Sequence, residues 1–183
     1  MVNVEIRSFI KPEKYKELIE KYNNILHTEK QISYFFNSKE DFRFMKTKMY
    51  SEICLKEGKM HDDIKSEKIV KIDSKYNNNM EYVLNDLGYI PQVKWFRTRS
   101  KANLDFGIDL CLDYTVGYGY IIEVSKNIED NSKSDLTKIE LGNYLESLDI
   151  DITSKDEFNK KYNDYVLNWE KFTQKVDENN FLK

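Results

Sequence analysis

The sequence predicts an α+β fold: a closed eight-stranded antiparallel β-barrel, or tunnel, with flanking helices and a C-terminal helical extension. Three observations lead there. Short runs with period-two alternation dominate residues 1–126, as half-buried strands do. Turn-forming pairs such as Asn37-Ser38, Glu57-Gly58 and Asp62-Asp63 separate those runs. From residue 127 the character changes to helical spacing, and about eight strands on short turns are enough to close a small barrel. A chain of 183 residues is expected to form one domain over 1–183, with the barrel and two helices in 1–126 and C-terminal helices packed on it in 127–183.

The elements follow in order. Val2 to Ile10 alternates, with Val4, Ile6 and Ser8 on one face and Asn3, Glu5, Arg7 and Phe9 on the other, which makes a strand with one polar face. Pro12 opens a helix whose Tyr15, Leu18, Ile19, Tyr22 and Leu26 share a stripe. Four strand runs come next: Gln31 to Phe36, Asp41 to Lys48, Met49 to Glu57 and Lys65 to Ile72. Asp73-Ser74 caps a second helix, striped by Tyr76, Met80, Val83, Leu84 and Leu87 and ended by Gly88.

Three further strands are expected around Lys94 to Arg99, Asn103 to Asp113 and Tyr120 to Ser125. The order of strand, helix and strands is thus used twice. After a polar loop, Leu136 to Leu148 reads as a helix. The capping-box pattern Ser154-Lys-Asp-Glu157 opens a longer one with Phe158, Tyr162, Tyr165, Val166, Trp169 and Phe172 on one side. Asp177 to Lys183 reads as a frayed end.

Charge narrows the function classes. The net charge is −3, from 29 basic and 32 acidic residues, which argues against general nucleic-acid binding, although a basic lining inside a negative shell is hidden in such a sum. Cys54 and Cys111, the only cysteines, have no partners at metal-ligand spacing and are expected to be buried thiols in a reduced compartment. No apolar run approaches the roughly 18 residues of a membrane span, and no secretory pattern opens the chain. The expected location is the cytoplasm.

Arginine is scarce and placed: Arg7, Arg43, Arg97 and Arg99 are all there is, and each falls on an expected strand. On the polar faces these side chains stand among Glu5, Lys56, Lys65, Glu67, Asp109, Asp113 and Glu123. One reading sets these faces against bulk water, as in many antiparallel sheets. The other lines a wet cavity with them. Arginine grips phosphate oxygens in a bidentate way and lysine acts as a point charge. Carboxylates beside a phosphate require a bridging hard cation such as Mg²⁺ or Mn²⁺.

The ordered segments Asn3-Val-Glu5-Ile-Arg7, Asp41-Phe-Arg43, Ile53-Cys-Leu-Lys56, Lys65-Ser-Glu67, Val93-Lys-Trp-Phe-Arg97-Thr-Arg99, Ile108 to Asp113 and Gly119 to Ser125 resemble the CYTH superfamily. These are the triphosphate tunnel metalloenzymes, which include class IV adenylate cyclases and thiamine or inorganic triphosphatases. The resemblance spans roughly residues 1 to 126 and implies a tunnel in which Glu5 and Glu123, with Asp113 nearby, hold Mg²⁺ or Mn²⁺. It implies that Arg7, Arg43, Lys56, Lys65, Arg97 and Arg99 grip a triphosphate, with Glu67 helping to orient them.

Three positions depart from the pattern. Asn3 stands at the first Glu of the ExExK signature, Ser125 at the second Glu of the late ExE pair, and Met45 where a second Arg often follows the first.

Three functional classes remain at this point. The first is a divalent-metal-dependent enzyme that hydrolyses a nucleoside or inorganic triphosphate, or cyclises ATP to cAMP with pyrophosphate release. The second is a catalytically degenerate nucleotide- or polyphosphate-binding protein, as Asn3 and Ser125 suggest. The third is a structural protein in which the tunnel is a relic. His27 and His61, the only histidines, are expected in or near loops and name no general base. Catalytic residues and oligomeric state stay open, a homodimer included.

Overall fold

A computed structural model describes residues 2–38, 40–57 and 64–183, and for 57 and 64–67 the backbone alone. The strands are β1 (Val2–Ile10), β2 (His27–Phe36), β3 (Asp41–Lys46), β4 (Tyr50–Glu57), β5 (Ile64–Asp73), β6 (Pro91–Asn103), β7 (Asp109–Thr115) and β8 (Gly119–Ile128). The helices are α1 (Pro12–Lys21), α2 (Asn77–Asp86), α3 (Ser134–Glu146), α4 (Lys155–Thr173) and α5 (Glu178–Phe181). Among the described residues no helix is long and apolar enough to cross a membrane.

The sheet is antiparallel throughout, in the order β5-β4-β3-β2-β6-β7-β8-β1. Two meanders are joined where β2 pairs with β6, and β1 pairs with β8 from Val2↔Ile128 to Ile10↔Tyr120. β1 also borders β5, where the described pairs are Asn3↔Lys65 and Val4↔Ile64. Of the closed barrel expected from sequence, the structure thus shows an eight-stranded antiparallel sheet with flanking helices.

Alternation sorts the two faces of this curled sheet. The outer face of β1, β7 and β8 presents Val4, Leu110, Leu112, Ile122 and Val124, all buried under Leu18 of α1 and Leu141 and Leu145 of α3. Ser8 sits on that face without being orphaned: its Oγ lies 2.8 Å from Thr153 Oγ1 and accepts from Thr153 N at 3.0 Å, tying the α3–α4 connection to β1. The outer face of β2, β3 and β6 presents Ile32, Tyr34, Phe44 and Phe96 to Leu84 of α2 and to Phe181 and Leu182.

Helix α4 crosses one end of the sheet. Its capping box is formed, with Ser154 Oγ accepting from Glu157 N at 3.2 Å. Its expected stripe, Phe158, Tyr162, Tyr165, Val166, Trp169 and Phe172, packs on Phe9, Phe35, Trp95, Tyr118 and Ile121. The turn into β8 admits it: Gly117 has φ +75°, and a Cβ there would fall 2.4 Å from Phe172 Cβ.

Two expectations need correction. The 177–183 segment is not frayed, because Asp177 caps α5 and Glu178 bonds Tyr34 and Lys94. The α2 stripe is buried only in part: Leu84 is 5% exposed but Leu87 is 68% exposed. The turn sites at 58 and 62–63, His61, and the side chains of Lys65 and Glu67 lie outside the described residues.

Candidate functional site

Inside the curled sheet the inward faces of the strands enclose a cavity of about 240 Å³. Arg7, Arg43, Lys56, Arg97 and Arg99 all line it, together with Glu5, Asp113 and Glu123. The structure therefore brings together eight of the nine site residues expected from sequence. The ninth, Lys65, is described only in its backbone, opposite Asn3.

Register explains the convergence. On β1 and β8, Arg7 stands opposite Glu123 and Glu5 opposite Ser125; on β6 and β7, Arg99 stands opposite Asp113. Directly opposed side chains share a face, so each strand contributes its polar row to the same interior.

Each cation has a defined setting. Arg99 donates from Nε to Asp113 Oδ1 at 2.7 Å and from Nη2 to Asp113 Oδ2 at 2.6 Å, and reaches Glu123 at 3.5 Å. Burial opposes its charge, but Asp113 and Glu123 more than offset this and hold its pKa well above the ordinary value. Arg97 donates from Nε to Gln31 Oε1 at 3.0 Å and from Nη1 to Asp113 at 3.4 Å. Burial, reinforced by Arg99, pushes its pKa down to about 10, which leaves it charged at neutral pH. Arg7 lies 3.2 Å from Glu5 and over the Phe158 ring. Arg43 is gripped by Asp41 and lies over Phe35.

The acids divide as well. Both oxygens of Asp113 are taken by arginine. Burial raises the pKa of Glu123, yet Arg99, Arg7 and Arg97 together overcome that and hold it at about 2. Among the described residues no three or more His, Cys, Asp or Glu side chains form a group able to hold a metal. Asn3 and Ser125, the two departures at carboxylate positions, are neutral here: Asn3 Nδ2 donates to Asn127 Oδ1 at 3.1 Å, and Ser125 stands opposite Glu5. Neither cysteine forms a disulfide, both are buried, and burial pushes the Cys111 thiol up to about 12. His27 is exposed.

Sequence reasoning overlooked several members of this lining. Gln31, Tyr50, Glu52, Trp95, Lys101 and Tyr118 all face the cavity. The alternation Gln31, Ser33, Phe35 against Ile32, Tyr34, Phe36 would have placed Gln31 inside, by the same rule that placed Arg97. Counting these, six basic and four acidic residues line the cavity among the described residues, an excess of positive charge within a chain of net charge −3.

No protein-family model matches the sequence, and no curated protein matches it significantly. Solved structures do share the fold. A conserved hypothetical protein from Pyrococcus furiosus superposes with a TM-score of 0.68 at 19% identity, over 81% of this chain and 91% of that one. A "putative adenylyl cyclase" from Hippeastrum, described as revealing a dominant triphosphatase activity, gives 0.64 at 15% identity, over 89% of this chain and 95% of that one. A "putative adenylate cyclase" from Vibrio parahaemolyticus gives 0.62 at 12% identity, over 87% of this chain and 98% of that one. The chain thus shares the fold of these structures, two of which carry the name putative adenylyl or adenylate cyclase.

Proposed function

We propose that the chain is a divergent CYTH member and acts on a triphosphate inside a closed, charged β-tunnel. It would hydrolyse a nucleoside or inorganic triphosphate, or cyclise ATP with pyrophosphate release, with the help of Mg²⁺ or Mn²⁺. The observation that carries this reading is the gathering of all four arginines of the chain, with Lys56, around one cavity that also holds Glu5 and Glu123. A triphosphate is the polyanion such a lining suits, since charge neutralisation and alignment are most of what phosphoryl transfer asks of a protein.

The acids present fit a hard cation of modest protein ligation. Mg²⁺ is commonly bound through one or two carboxylates plus substrate phosphates and water. Glu5 and Glu123 are diagonal neighbours on β1 and β8 and would hold it, while Asp113 is better suited to anchoring Arg99. When bound, the ion would neutralise phosphate charge and polarise the scissile phosphoanhydride. Arg7, Arg43, Lys56 and Arg97 would bind the remaining phosphate oxygens and hold the chain of phosphates in line. The aromatic cluster beneath α4 would exclude water from that end of the cavity.

A second reading, binding without turnover, is favoured by the neutral Asn3–Asn127 pair and by Ser125 opposite Glu5. One experiment separates the two. The protein is incubated with ATP and with tripolyphosphate, with and without Mn²⁺, and orthophosphate, pyrophosphate and cAMP are quantified. Metal-dependent product supports the enzyme; ligand-induced thermal stabilisation without product supports the binder; neither effect removes the triphosphate reading.

A further inference from the structure

Arg97 and Arg99 share one face of β6 and both line the cavity, yet their partners differ in kind. Arg99 is compensated by a carboxylate, with two short bonds to Asp113. Arg97 instead gives two donors to a neutral atom, Gln31 Oε1, from Nε at 3.0 Å and from Nη2 at 2.5 Å. Its approach to Asp113 is the longer 3.4 Å, to an oxygen that Arg99 already holds at 2.6 Å.

Gln31 is only 2% exposed, and its amide has one orientation. Its Nε2 donates to Glu29 Oε1 at 2.6 Å, and the Glu29 carboxylate also accepts from the Tyr50 hydroxyl at 3.3 and 3.4 Å. A carboxylate only accepts and a guanidinium only donates. With the NH₂ group against Glu29, the carbonyl must face Arg97; the reverse would set donor against donor at one end and acceptor against acceptor at the other.

We propose that Gln31 is a positioning residue for anion binding: oriented by Glu29 and Tyr50, it aims Arg97 at a ligand oxygen without cancelling its charge, while Asp113 commits Arg99 to the framework. This rests on the reading of the cavity as a triphosphate site. A neutral acceptor fixes the direction of a guanidinium and leaves its charge for the ligand. A carboxylate at the same place would fix the direction and neutralise the charge, and that difference can be measured.

The variants are Gln31→Glu and Gln31→Met in the full chain. Inorganic tripolyphosphate is titrated calorimetrically with and without Mn²⁺, and the Arg97 Nε–H resonance is followed by ¹⁵N NMR, assigned through its loss in Arg97→Lys. Q31E is expected to keep a solvent-protected Nε–H and to bind tripolyphosphate at least tenfold more weakly, with a melting temperature below wild type because the new carboxylate faces that of Glu29, where the amide had donated. Q31M is expected to lose the protected Nε–H and to bind severalfold more weakly. If Q31E does not fold, the exchange E29Q/Q31E keeps the total charge of the pair and carries the same expectation. Binding by Q31E within twofold of wild type, or an unchanged Arg97 resonance in Q31M, overturns the proposal. If the wild-type protein fails to bind tripolyphosphate, the triphosphate reading and the anion role fall together, and the Q31M spectrum still decides whether Gln31 holds Arg97.

Discussion

Asp113 takes both arms of Arg99, Nε on one oxygen at 2.7 Å and Nη2 on the other at 2.6 Å, from the strand directly alongside. Breaking one side of a buried ion pair leaves an uncompensated charge and typically destabilises by about 3–5 kcal/mol. Asp113→Ala should therefore lower stability by roughly 3 kcal/mol or more, read as a shift in the urea midpoint with an unchanged slope. A change within about 0.5 kcal/mol, the range of an ordinary surface substitution, would show that the pair is not part of the framework.

Glu123 supplies a pH dependence. Its pKa falls from the ordinary 4.5 to about 2 in the folded protein, because the arginines more than offset its burial. The unfolded chain takes up this proton first as the pH drops, so the contribution of Glu123 to stability is fully present above about 4.5 and is lost as the pH falls through about 2. Glu123→Gln should flatten stability across that window. Chemical denaturation at pH 5, 4 and 3 checks it: parallel losses in wild type and variant would contradict the assignment.

Gly117 sets the seat of α4. Any side chain there meets Phe172 and must also hold φ +75°. A left-handed conformation at a non-glycine residue alone is unfavourable by about 1–3 kcal/mol. Gly117→Ala should lower the melting temperature by several degrees and displace α4, seen as altered fluorescence of Trp169 and Trp95. Unchanged melting and emission would mean that α4 is not locked to this turn.

The C-terminal segment acts on the backs of the strands whose fronts carry Gln31 and Arg97. Phe181 packs edge-on to Phe96 with centroids 5.3 Å apart, and Glu178 accepts from Lys94 at 2.8 Å and from Tyr34. Removing residues 177–183 should expose Phe96 and destabilise the fold by about 2–4 kcal/mol, on the scale of truncating a packed aromatic side chain. Amide exchange in β2 and β6 should rise first. Exchange in the truncated protein that matches wild type there would refute a structural role.

These elements also show what a linear reading can see. Alternation from Asn3 to Phe9 put Glu5 and Arg7 on one face, and the same rule placed Arg97, Arg99, Asp113 and Glu123, so the candidate site emerged from periodicity and scarce arginine. Gln31 escaped because a neutral amide on a strand carries no charge signal; its meaning arises only when β2 is laid against β6. The tail escaped for a related reason. Glu178 stands in a polar run, Asp177 to Asn180, that carries no core signal, and its partners Tyr34 and Lys94 are more than eighty residues away. The α2 stripe looked like a core face, but how much sheet lies beneath a helix is set by strand length, which period alone does not give.

The most direct test is a crystal structure grown with Mn²⁺ and a non-hydrolysable ATP analogue, read at the manganese anomalous edge. The account requires an anomalous peak at the Glu5 and Glu123 carboxylates and phosphate oxygens within hydrogen-bond distance of Arg7 and Arg97. Manganese and nucleotide bound elsewhere, or an empty cavity at saturating ligand, would contradict it.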